Sequence, residues 1–294
     1  MNADYTQHRL LLISPGDDFK SCSLRAVLHE NSDTAVELDC PFKVPNRLIQ
    51  VKGFCDGLVC VAIKREVFLW NPSTGEFMML PDVDLPYHYF ASYGFAYDES
   101  IDDYKVVGLF LSSSSYEVQV YTLRSDSWRR IGDFPHFVPP KGFGTFVNRA
   151  LHWSVTNEFN DNIVSLDLAK ETFGEILEPE YGDGCLHKIF LEVLNGCLCI
   201  VRYCDPNACV DVWIMKEYGI KESWTKLFVI PYLSHQIDRL FMLKNGEVLL
   251  LHIQSQFVQY SPKDGTFSHL TVHNCSAFFS ADPYVESLVS PHIN

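Results

Sequence analysis

His269 and His273 stand four residues apart, a spacing that on a helix puts both rings on one face and can hold a metal ion. Here they lie near the end of a stretch that reads as a strand, where four residues span about 13 Å, too far for one ion. Cys197 and Cys199 share a strand face, but two thiolates do not close a zinc site. Asp82 and Asp84 are spaced as an acid/base pair could be. Other paired carboxylates, such as Asp102-Asp103, fall where turn chemistry calls for Asp. His152 sits beside Trp153 on an apolar strand and reads as a hydrogen-bonded core histidine. No Gly-x-Ser-x-Gly elbow occurs, and no glycine-rich phosphate loop precedes a helix. These residues point away from catalysis, and no metal or other cofactor is expected.

The elements that must position any site are strands. Val67-Phe68-Leu69-Trp70 is apolar and bulky, Asn71-Pro72-Ser73-Thr74-Gly75 forces a turn, and Glu76 to Leu80 leads back to Pro81. One such hairpin cannot bury its apolar surface alone, and the chain supplies more. Polar turns followed by apolar strands begin at 56, 102, 148, 195 and 245, spaced by 46, 46, 47 and 50 residues. Counting back from 56 reaches His8-Arg9-Leu10, which makes six units. In each unit after the first, a further strand and turn precede a large aromatic: Phe77, Trp128, Phe173, Trp224 and Phe267. Prolines close most of the units, at Pro41, Pro81, Pro135, Pro179 and Pro231.

Four strands (A to D) per repeat of 40 to 50 residues is the signature of a β-propeller. The expected architecture is therefore all-β, a six-bladed β-propeller forming a single domain over residues 1–294. The recurring aromatics are expected to fill the wedges between blades. The first unit has strands B, C and D at 9–14, 22–28 and 34–40 but lacks strand A. The C-terminal strand, residues 284–290, is expected to supply it and close the ring, removing an exposed edge.

The chain is 47% hydrophobic and 14% aromatic, ample for a core. Its net charge of −14 argues against a nucleic-acid or anionic-membrane partner; it suits a basic protein partner or, the commoner cause, serves solubility alone. The start carries no basic, apolar leader, and no apolar run of about 18 residues is present. Ten cysteines without a CxxC read as reduced, mostly buried thiols. The expected location is cytoplasmic, nuclear or both.

Six stretches resemble the F-box-associated domain of plant F-box proteins. They are Gly53-Phe54-Cys55-Asp56-Gly57-Leu58-Val59-Cys60, the Val67 to Gly75 hairpin, Gly94-Phe95-Ala96-Tyr97-Asp98 with Asp103-Tyr104-Lys105-Val106-Val107, the run from Val120 to Arg129, Asn148-Arg149-Ala150-Leu151-His152-Trp153, and Tyr284-Val285-Glu286-Ser287-Leu288-Val289-Ser290-Pro291. The resemblance implies a non-catalytic substrate receptor of an SCF-type cullin ubiquitin ligase. It also implies a Skp-type adaptor and a cullin reached through an F-box, which this sequence lacks. Two other readings are a receptor for a secreted ribonuclease within the same family, and a carbohydrate-binding or glycan-processing propeller.

Alternating strand direction puts the A–B and C–D turns on one face and the B–C and D–A loops on the other. The D–A loops are long and aromatic, as a protein interface requires. The expected partner-binding residues are Asp82, Asp84, Tyr87, His88, Tyr89, Phe90, Phe134, His136, Phe137, Tyr181, Tyr232 and His235. B–C loops add Asn157, Glu158, Asn160, Asp161 and Asp205 to that face.

Overall fold

The computed structural model describes residues 6–14, 18–30, 32–42, 49–84, 89–112, 115–156, 161–181, 188–204, 209–231, 237–242, 249–253, 256–275, 278 and 280–292. Among these the chain is almost all strand, in a propeller-like arrangement of five hydrogen-bonded sheets. Three are isolated four-stranded sheets of the kind the repeat predicts. One runs Ile49–Cys55, Leu58–Ile63, Glu66–Trp70, Phe77–Met79. Another runs Lys188–Leu194, Cys197–Cys204, Cys209–Met215, Trp224–Pro231. The third draws on both ends of the sequence: Ser280–Val285, His8–Ser14, Asp18–Ser23, Val36–Glu37.

The other two depart from six separate sheets. Tyr89–Asp98 and Lys141–Val147 meet in a parallel bridge between Gly94 and Gly144, which joins two four-stranded antiparallel runs into one eight-stranded sheet. Missing side chains permit this approach. A Cβ on Gly144 would lie 3.1 Å from the Gly94 Cα and 2.8 Å from the Trp153 ring. The last sheet, Ile237–Met242, Leu249–Ile253, Gln256–Ser261, Thr266–His273, gains Ser32–Thr34 as a fifth strand, parallel to Thr266–His273.

The first unit differs from its sequence reading. Its third strand is Asp18–Ser23, and the expected strand at 22–28 gives way to the helix Leu24–His29. Leu24, Val27 and Leu28 are the buried residues, at the i, i+3, i+4 spacing of a helix face. Ser23 caps the helix by accepting from the Ala26 N–H at 3.2 Å. The C-terminal strand is Ser280–Val285, earlier than 284–290, and pairs from His8↔Val285 to Ile13↔Ser280.

The segment after it is a latch rather than a strand. The Glu286 N–H donates to the Gln7 carbonyl at 2.8 Å. The buried Asn71 amide donates to the Ser287 and Val289 carbonyls at 3.0 and 2.8 Å, and its oxygen accepts from the Ser73 N–H. Ser287 Oγ donates to the Asp56 carbonyl at 2.6 Å.

The tight turns follow from their residues. Asp56-Gly57, Asn148-Arg149 and Asn195-Gly196 each place two residues at positive φ, as a two-residue hairpin loop needs. Gly57 is doubly constrained, because a Cβ there would collide with Ser287 Oγ. Asn245-Gly246 lies outside the described residues.

The apolar cores lie between consecutive units. Leu58, Leu69, Tyr93, Phe95 and Tyr121 join the second and third. Leu10, Cys22, Phe257 and Leu270 join the last to the first. Two of the recurring aromatics span such boundaries: the Trp128 indole donates to the Pro81 carbonyl at 2.7 Å, and the Trp224 indole to the Leu177 carbonyl at 2.9 Å. Phe77 is half-exposed, though its ring touches Phe42 and Phe68.

Candidate partner-binding loop face

Tyr181 follows the fourth strand of one unit, and Arg202 lies near the end of the second strand of the next. The guanidinium sits 4.2 Å above the Tyr181 ring, so a D–A loop and a B–C end do converge. Arg202 is buried, its Nη2 3.8 Å from the Asp211 carboxylate. Lys226 holds the same carboxylate at 2.8 Å and lies 5.1 Å over Trp213. Tyr181 also packs edge-on against Trp213 and donates to Glu178. The result is a buried Arg202–Asp211 pair covered by the half-buried rings of Tyr181 and Trp213.

The expected contact residues divide sharply. Phe137 is 81% exposed, and Asp82 and Asp84 are exposed. His136 is partly buried, its Nε2 3.3 Å from Glu175. Phe134 is a correction. It is buried against Trp153 and Phe173, and its N–H is bonded to the Tyr116 carbonyl, so it supports the loop from below. Tyr89 and Phe90 are also corrected: they belong to the strand Tyr89–Asp98, opposite Leu111 and Phe110, and not to a loop. Asp161 likewise opens a strand. Tyr87, His88, Asn157, Glu158, Asn160, Asp205, Tyr232 and His235 lie outside the described residues.

The opposite face is knitted by ion pairs. Lys105 is buried; its ammonium donates to Glu171 at 2.9 Å and the Leu168 carbonyl at 2.7 Å and forms an ion pair with Asp98 at 2.8 Å. Arg129 also grips Glu171. Burial alone would raise both carboxyls. For Asp98, hydrogen bonds from Lys105 and Ser100 overcome it; for Glu171, those from Arg129 and Lys105 do, so both sit below the ordinary range. Neither this network nor Arg202 was found by spacing. The signal was present: a single basic residue inside a mostly apolar strand.

His152 is the core histidine the sequence suggests. It is fully buried, with Nδ1 3.1 Å from the Thr145 carbonyl and Nε2 2.8 Å from the Tyr218 hydroxyl of the next unit. Burial pulls its pKa down to about 4. The folded form therefore resists a proton that the unfolded chain accepts below about 6.5. Stability from this group is complete above pH 6.5 and is lost as pH falls towards 4, by about 3 kcal/mol. Urea melts across that window are expected to show the decline, and His152→Gln is expected to flatten it. An identical slope in the variant would contradict the assignment.

Strand-built sheets with apolar cores between consecutive units define an all-β, propeller-like protein. The F-box associated beta propeller domain model matches residues 12–291. The chain belongs to that family. It is 33% identical over 285 residues to the F-box/kelch-repeat protein At3g23880 of Arabidopsis thaliana, covering 93% of this chain and 77% of that protein. It is 30% identical to the F-box protein CPR1 of the same plant, covering 82% and 68%. Among solved structures, a chain of a nidogen/laminin complex matches at TM-score 0.59 and 12% identity, covering 95% of this chain and 99% of that one. TolB from Acinetobacter baumannii matches at TM-score 0.60 and 10% identity, covering 96% and 67%. These two likenesses concern the fold alone.

Proposed function

We propose that this chain is the substrate-receptor domain of an F-box protein in an SCF-type cullin ubiquitin ligase, non-catalytic and acting in the cytoplasm or nucleus. Its relatives carry the name F-box protein, and that name supports the reading. In the intact ligase an F-box would recruit the Skp-type adaptor and cullin, and this domain would hold a protein substrate. We read it as one domain, a closed ring of six four-stranded blades. The pairing of Ser280–Val285 with His8–Ser14, and a core shared by the last and first units, support closure.

The observation that carries the functional reading is Phe137, 81% exposed on a D–A loop beside the buried Phe134. A large apolar ring held in water on a braced loop is what an interface anchor requires. Affinity capture with the proteasome blocked, followed by mass spectrometry, is the test. A wild-type bait is expected to enrich a protein that Phe137→Ala loses at least tenfold, with no change in melting temperature. Equal capture by both would remove Phe137 and its face from the reading.

A further inference from the structure

Cys204 and Cys209 end and begin adjacent antiparallel strands and stand directly opposite each other in register. Both are free thiols. Their sulfur atoms and a carboxylate oxygen of Asp211 all lie within 4.8 Å of one another. Two sulfurs and an oxygen at that separation suit either a soft metal ion or a dithiol that can close.

The surrounding charges decide between them. Asp211 is already held by Lys226 at 2.8 Å and faced by Arg202 at 3.8 Å. Arg202 Nη2 also donates to Cys204 Sγ at 3.5 Å. A divalent cation would have to displace Lys226 and sit among two fixed positive charges, whereas a disulfide carries no charge and leaves both where they are. Opposed residues on antiparallel strands have Cβ atoms about 4.5–5.5 Å apart, and a disulfide takes about 3.5–4.5 Å. The bond therefore needs little strand movement.

We propose that Cys204 and Cys209 form a reversible disulfide across this hairpin, a redox modification site on the loop face. Cys209 is partly exposed and meets the oxidant; Cys204 is buried and resolves. The Cys209 thiolate attacks a small-molecule disulfide, forming a mixed disulfide and releasing one thiol. The Cys204 thiolate then attacks Cys209 Sγ and releases the second. Two protein thiols are oxidised, one external disulfide is reduced to two thiols, and the exchange balances. In a reducing compartment such a bridge is transient and reports oxidant. Closing it draws Cys204 away from Arg202, the residue that stacks on Tyr181.

Both cysteines fall in one tryptic peptide, residues 203–216, which holds no other cysteine. The full chain is incubated with glutathione disulfide, alkylated, digested and weighed. The expected product is that peptide unalkylated and lighter by two hydrogens, restored by dithiothreitol. Cys204→Ser is expected to trap glutathione on Cys209, and Cys209→Ser to abolish the change. Alkylation of both thiols after equilibration, or linkage to a different peptide, would overturn the proposal. So would stoichiometric zinc bound by the wild type and lost in Cys209→Ser. The wild-type peptide decides the matter even where a variant fails to fold.

Discussion

Truncation of residues 278–294 is expected to move the protein into the insoluble fraction. The cut removes the strand Ser280–Val285 and strips the whole partner edge from His8–Ser14. It also removes Phe278, Ala281 and Tyr284 from cores they share with Leu10, Phe257 and Trp70. A bare strand edge beside uncovered apolar surface is a template for aggregation. Asn71→Ala gives a graded version of the same lesion. Its two amide donors are the latch on the Ser287 and Val289 carbonyls, and its position is fully buried. Leaving those groups unpaired is expected to cost about 2–4 kcal/mol, with a melting temperature lower by roughly 5–10 °C. A soluble truncation that melts cooperatively at the wild-type temperature would refute both.

Lys105→Met is expected to destabilise the fold by about 3–5 kcal/mol, because it leaves carboxylates in the interior without their cation. Asp98 keeps only 4% of its side chain exposed and Glu171 18%, so water cannot replace the ammonium. Arg129 still neutralises Glu171, which makes Asp98 the greater loss. The pH dependence distinguishes this from a packing defect. In the wild type both carboxyls sit below the ordinary range, so their contribution is complete above pH ~4 and is lost as pH falls below it. In the variant the orphaned carboxyl is relieved by protonation. The gap between the two proteins therefore narrows in acid. Denaturant melts at pH 7 and pH 4 check this; a loss under 1 kcal/mol at pH 7 would sink the assignment.

The repeat was legible because its turns leave few choices. Residues at positive φ must be Gly, Asn or Asp in most cases, so Asp56-Gly57 and Asn195-Gly196 announce themselves. The first unit was less legible for local reasons. The Leu24, Val27, Leu28 stripe competes with strand formation and wins. Pro283 reads as a breaker, yet it sits inside the final strand, on which only one partner strand depends. The candidate site was half legible. Phe134 and Phe137 are three residues apart on one aromatic loop, and composition does not say which ring turns inward. Lys105 and Glu171 are 66 residues apart and Arg202 meets Tyr181 across a unit boundary, contacts that no short spacing announces.

The pairing of His8–Ser14 with Ser280–Val285 also sets a clock. At about 5–20 residues per second, a ribosome needs roughly 15–55 s to deliver the later strand after the earlier one. Throughout that interval the first sheet waits half-built, its apolar residues Leu10 to Ile13 lacking their final cover. Nascent chains stalled short of residue 280 should therefore be strong clients of holdase chaperones, and release should follow only once Ser280–Val285 has left the ribosome and paired with His8–Ser14.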